Sequence, residues 1–454
     1  MPPTPPRLTL AGLALASLAL GPALLQAQEP ARIAIETYEL PNGLQVILAP
    51  DHSAQVVAVD VWYHVGSRNE VPGRTGFAHL FEHMMFQGSA NVEKAQHFQL
   101  VERAGGNLNG STAEDKTNYY NVLPSNRLNL GLWLEADRMR SLAITEENFS
   151  NQREAVKEER RLRVDNQPYT GALFEGVYAI TDSATCFPYA HSVIGSMDDL
   201  NAAETKDVQA FFDQYYVPNN ATLTLTGDFE STNAKALIEE YFGDIPRGEE
   251  PPSVTCNQAF NTGTIRKVWP DDKANLPGVV IAYRIPDYPH DDTPALELLG
   301  TILGQGESSR MNQAVVREQK LAQFSLTAAN LFGSRRGPGL MLTLAVANQN
   351  VVIDSLEAAI LSEFAKIREQ GVTEAELSKA QNLYRTGLIT QQQQALVRAE
   401  ALQSANLFLG DPEAVNTHWK RYTSVTVDDI KRVAQQYFRD DNALILLITP
   451  EVAK

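Results

Sequence analysis

Cysteine is almost absent from this sequence: Cys186 and Cys256 are the only two in 454 residues. That excludes a multi-disulfide scaffold and any metal site built from several thiolates, and leaves a single pairing open in an oxidising compartment. Positive charge is short as well. With 38 Lys and Arg against 55 Asp and Glu, the formal net charge is −17 and no basic cluster stands out, so no nucleic acid is expected as a partner. Long hydrophobic runs are missing after the first 27 residues, and the mature chain is expected to have no membrane span. Residues 1–27 themselves read as an export signal, with Arg7 as the lone charge, an apolar run from Leu8 to Leu20 and a small residue at Ala27. The mature protein is accordingly expected to be periplasmic or secreted.

What is present is a chain that contains itself twice. DVQAFFDQYYVPNNATLTLTGDF (207 to 229) aligns without a gap on DIKRVAQQYFRDDNALILLITPE (429 to 451), setting Gln214, Tyr215, Asn220 and Ala221 against Gln436, Tyr437, Asn442 and Ala443. Each copy has the pattern of an amphipathic helix, a polar turn and a strand of alternating apolar residues. Between the copies, IPRGEEPPSVTCNQAFNTG (245 to 263) loses all periodicity and gathers proline, glycine and acidic residues. The expected organisation is therefore α+β, two related α/β-layered domains from a tandem duplication, at 28–245 and 264–454, joined by a linker at 246–263. In the first half strands are expected at 44 to 50 and 55 to 66, and helices near 75 to 87, 94 to 104, 126 to 142 and 145 to 164. The second half repeats the plan, with a strand at 279 to 285, helices near 293 to 304 and 309 to 319, strands near 323 to 331 and 338 to 347, and long helices over 350 to 408.

The chemistry concentrates in HLFEH, residues 79 to 83. Wound as a helix at about 100° per residue, His79 and His83 fall within about 40° of each other, and Glu82 lies about 60° to the side. Phe77, Leu80, Phe81, Met84 and Met85 make the opposite, apolar back. Such a strip can simply face water, but two imidazoles one turn apart beside a carboxylate also suit a metal, which then needs a third ligand; a catalytic zinc takes three protein ligands, two His and one Glu being a standard set. The charged segment NQREAVKEERRLRVDNQPY (151 to 169) offers Glu154, Glu158 and Glu159, among which spacing does not choose. The other six histidines, His52, His64, His97, His191, His290 and His418, stand singly and read as structural or surface residues.

HLFEH, an inverted HExxH motif, followed by the run NQREAVKEERR, resembles the pitrilysin and insulinase family of metallopeptidases, to which mitochondrial processing peptidase and paired bacterial homologues belong. GGNLNGSTAEDKTNYY (105 to 120), PYAHSVIGSMDDL, YYVPNNATLTLTGDF and GQGESSR extend the resemblance over essentially the mature chain. It implies that His79, His83 and Glu159 hold one zinc ion per chain and that Glu82 is the general base. It also implies that Asn109 lies near the metal on an edge strand that pairs with extended substrate. The two domains would form half-shells around a substrate chamber that admits peptides or unfolded segments.

Two positions depart from the family pattern. Gln152 stands where a supporting glutamate is common, seven residues before Glu159, and can offer only uncharged hydrogen bonds. In REQKLAQF, Arg317 is followed by Phe324 where members that act alone carry a tyrosine, so a substrate-gripping hydroxyl is missing. At the duplication offset His79, Glu82, His83 and Glu159 fall on Thr301, Gly304, Gln305 and Gln381, which leaves the second half without a metal site. The expectation is an exported zinc endopeptidase working with a paralogous partner subunit, or as a homodimer. The alternative is a non-catalytic scaffold subunit.

Overall fold

A computed structural model describes residues 30–180, 186–256, 263–331 and 333–451. The expected export signal and residues 257 to 262 of the expected linker lie outside the described residues.

Two mixed sheets organise the chain. The first runs through β1 (Glu36–Glu39), β2 (Gln45–Pro50), β3 (Val56–Tyr63), β4 (Asn107–Thr112), β5 (Thr117–Pro124) and β6 (Ala221–Gly227), in the spatial order β1-β2-β6-β3-β5-β4. The second comprises β7 (Ile265–Asp271), β8 (Gly278–Ile285), β9 (Ala322–Ala329), β10 (Gly339–Ala347) and β11 (Ala443–Pro450), ordered β7-β11-β8-β10-β9. In both, one parallel pair (β2 with β6, β7 with β11) is followed by antiparallel neighbours. The register repeats too: Tyr63 sits opposite Ala221, and Tyr283 opposite Ala443.

The sequence repeat is thus an atomic repeat. Asn220 Nδ2 donates to Tyr215 O at 2.8 Å, and Asn442 Nδ2 to Tyr437 O at 2.7 Å, so the same side chain closes the same helix-to-strand turn in each half. Behind those turns Tyr63 packs on Tyr216 with ring centroids 4.7 Å apart, and Tyr283 on Phe438 at 5.1 Å.

The central strands of each sheet are covered on both faces, and part of the second cover comes from the other half. β6, ATLTLTG, is buried throughout. Leu223 and Leu225 face the first-half helices, while Thr222, Thr224 and Thr226 point the opposite way. There a second-half helix, Ala395–Ser404, crosses the sheet: Leu402 joins Ile47 and Ala49, Gln403 Nε2 donates to Asp60 O at 3.1 Å and Thr222 O at 2.8 Å, and Thr226 Oγ1 donates to Ala395 O at 2.6 Å. In return, Ala172 and Val177 of the first half pack on Val280, Leu342, Leu444 and Leu446 of the second sheet. The single disulfide, Cys186 to Cys256, ties the end of that first-half excursion to the segment leading into β7.

Candidate metal site

The HLFEH helix forms as Phe77–Met84, shorter than its expected reach, with Phe77, Leu80, Phe81 and Met84 buried in the first-half core. Phe81 anchors it by stacking on Tyr216 at 4.8 Å and Phe211 at 5.4 Å. The polar strip is thereby turned toward the helix Glu146–Arg160, which Thr145 caps by accepting the Asn148 N–H.

That second helix separates the three candidate glutamates. Glu154 is held outward by Lys157 at 2.9 Å and Glu158 by Arg161 at 3.0 Å, whereas Glu159 faces the histidines. His83 Nε2 lies 3.1 Å and His79 Nε2 3.6 Å from the same oxygen, Glu159 Oε2. Among the described residues this is the one group of three or more His, Cys, Asp or Glu side chains spaced to hold a metal ion, its donor atoms all within 4.8 Å of one another. Burial, with His83 alongside, pushes the His79 imidazole down to about 4, so it is neutral at pH 7 as a ligand must be. The hydrogen bond from His83 holds the Glu159 carboxyl below its ordinary range, with further help from His79 and Arg163. Two imidazole nitrogens and one carboxylate converging on a point form a donor set that zinc accepts with a position to spare.

Glu82 sits beside this group and touches β4. Thr112 Oγ1 donates to Glu82 Oε2 at 2.7 Å. Burial pushes the Glu82 carboxyl up, and the Thr112 bond offsets part of that rise. Strand β4 is one of the two edges of the first sheet, and Asn109 stands exposed upon it opposite Tyr120. Its neighbour Gly110 lets the strand lie close to the helix: a Cβ there would stand 3.1 Å from Glu82 Cγ.

The remaining expected residues lie apart. Gln152 is half-buried on the Glu159 helix, and no side-chain hydrogen bond reaches it among the described residues. Phe324 is exposed on β9, one of the two edges of the second sheet, and Arg317 pairs with Glu307. Thr301 and Gln305 line a small pocket with Tyr384 and Tyr422 in the second half, while Gln381 Nε2 donates to the backbone at Tyr422 and Val425, each at 3.1 Å. The larger cleft between the halves, about 870 Å³, is lined by residues such as His64, Arg68 and Arg336 and includes none of the metal-site side chains. Thr112 and Arg163, whose Nη1 lies 2.9 Å from Glu159 Oε1, were not visible in the sequence. Thr112 comes from a different strand, and Arg163 is one of several arginines in a charged run.

Comparison with known proteins agrees with this architecture. The family model of Insulinase (Peptidase family M16) matches residues 45–186, and that of the Peptidase M16 inactive domain matches 203–384. Zinc protease PqqE of Helicobacter pylori is 31% identical over 419 residues, 91% of this chain and 93% of that protein. A probable mitochondrial-processing peptidase subunit beta of Arabidopsis thaliana is 23% identical, over 90% of this chain and 77% of its own. Among solved structures, a protease from Helicobacter pylori superposes with TM-score 0.87 at 29% identity, covering 92% of this chain and 100% of that one. The periplasmic protease PqqL from Escherichia coli shares the fold at TM-score 0.74 and 20% identity, covering 93% of this chain but 48% of that one. The chain belongs to the M16 peptidases, the insulinase family. No helix among the described residues is long and apolar enough to cross a membrane.

Proposed function

We propose that this chain is an exported zinc-dependent endopeptidase that hydrolyses peptides or unfolded segments. His79, His83 and Glu159 hold one zinc ion, and Glu82 is the general base. The observation that carries the reading is the convergence of both imidazoles on Glu159 Oε2 beside a half-buried carboxylate and a sheet edge. Zinc held by His79, His83 and Glu159 would supply Lewis acidity and make a water molecule there more acidic. Glu82 Oε1 accepts a proton from the attacking water and passes it to the leaving amine, while Thr112 fixes Oε2. Extended substrate adds to β4 through backbone hydrogen bonds, with Asn109 beside it, so selection follows shape and unfolding more than sequence. Gln152, on the same helix as Glu159, brings no charge to the site.

We divide the chain into domains at 28–245 and 264–454. A paralogous subunit, with a homodimer as second choice, completes the chamber and supplies the hydroxyl that Phe324 lacks. This is supported by the exposure of Phe324 and by the length of PqqL, of which this chain covers only 48%. The scaffold alternative draws on Phe324, on Gln152 and on the inactive-domain match over 203–384.

Glu82→Gln separates the two readings. The variant should retain the wild-type zinc content and lose at least about 100-fold in kcat on an unfolded polypeptide, the scale expected of a general base. A wild-type chain without stoichiometric zinc, tested alone and with its paralogue, would leave the scaffold reading standing.

A further inference from the structure

The HLFEH helix does not cap its own N-terminus. It is 8 residues long, a length that does not hold by itself in water. Its N-cap position is Gly76, at φ 89°, with no side chain to accept the first amides. Nor is there room for one: a Cβ on Gly76 would stand 2.8 Å from Ile194 O. Glu70, in the preceding loop, takes those amides instead. The Gly76 N–H donates to Glu70 Oε2 at 2.9 Å and the Ala78 N–H to Oε1 at 2.8 Å, with Phe77 N–H also turned to the carboxylate.

The Glu70 side chain is 0% exposed, and His191 Nε2 lies 3.1 Å from its Oε2. His191 is held in turn by stacking on Phe187, ring centroids 4.5 Å apart. One residue earlier, the Thr75 N–H donates to Asp199 Oδ2 at 3.0 Å. Burial pushes the Glu70 carboxyl well up and the amides of Ala78, Gly76 and Phe77 draw it back, so that its two oxygens meet both the orphan amides and the positive end of the helix dipole.

We infer that Glu70 is a positioning residue of the metal site: by gripping the first-turn amides it sets the depth and roll of the helix, and hence where His79 and His83 point, while His191 fixes the carboxylate. The inference rests on the zinc-peptidase reading above. His79 directly follows Ala78, so little slack separates the gripped amide from the first ligand. Glu159 arrives on a separate helix, and any roll of one against the other parts the donors.

The test is the zinc dissociation constant of the full chain, by competition with a chromophoric chelator, alongside kcat, KM and the melting temperature of metal-free protein. Glu70→Gln keeps the shape but replaces one acceptor with an NH₂ that faces a donor. It should weaken zinc about 10- to 100-fold, the range found for outer partners of metal ligands, and lower kcat with KM near wild type. Glu70→Asp should recover part of the loss, and His191→Gln should show a smaller loss in the same direction. A Glu70→Gln chain that melts earlier yet binds zinc within twofold of wild type would reduce Glu70 to a structural role and overturn the inference. If Glu70→Gln does not fold, His191→Gln decides between the same two outcomes. A wild-type chain that takes up no zinc defeats the peptidase reading and this inference together, whereas normal zinc in both wild type and variant defeats this inference alone.

Discussion

At the scale of single residues, the selection of Glu159 over its neighbours is a matter of rotation on one helix. Glu154 and Glu158 are engaged by Lys157 and Arg161 on the outer side, and only Glu159 meets the imidazoles. Glu159→Gln should therefore lose zinc by more than the roughly 10- to 100-fold of an outer partner, while Glu154→Gln and Glu158→Gln keep wild-type content. Metal analysis of the three purified variants checks this, and zinc retained by Glu159→Gln would remove it from the ligand set. His79, Glu82 and His83 were legible in sequence because one helical turn relates them, and helical turns are local. Glu159 was not legible from spacing. Three carboxylates on one charged helix differ only in which one the neighbouring helix faces, and that is settled by Phe77, Phe81 and Val156 packing into the core.

At the scale of elements, the site depends on how closely an edge strand approaches a helix. Gly110 is where β4 passes over Glu82, and an added Cβ would lie 3.1 Å from both Glu82 Cγ and Tyr119 Cδ1. Those contacts are too tight to leave the carboxylate where it is, though a shift of a few tenths of an ångström relieves them. Gly110→Ala should keep its zinc, because no ligand is touched, and lose kcat by up to about 100-fold, the penalty that misplacing a catalytic group can reach. Zinc stoichiometry with steady-state kinetics measures both. An unchanged kcat would mean that Glu82 does not need the placement Thr112 gives it. The turn and strand character of residues 105 to 120 could be read from their Gly, Asn and Thr content, but contact between Gly110 and a helix some 30 residues earlier is tertiary.

At the scale of the whole molecule, the duplication was legible because helix, turn and strand recur with the same side chains, down to Asn220 and Asn442. The crossing of each half onto the sheet of the other was not. Residues 172 to 177 and 395 to 404 carry no signal of which sheet they will cover, since an apolar helix face fits either. This exchange makes the halves mutually dependent: removing one strips a face from the other. The Cys186–Cys256 disulfide spans a sequence separation of 70 residues and closes a loop around β6 and its flanking helices. In the loop-closure account such a crosslink contributes about 4 kcal/mol, mostly by restricting the unfolded chain. The double variant Cys186→Ser, Cys256→Ser should therefore fold, bind zinc as before and denature at lower urea, with a stability loss of that order. Because Leu402 and Gln403 are buried on the first sheet while Ala172 and Val177 are buried on the second, it should still unfold in one transition. Calorimetry that resolved two transitions in the variant would show that the disulfide, rather than the exchanged helices, couples the halves.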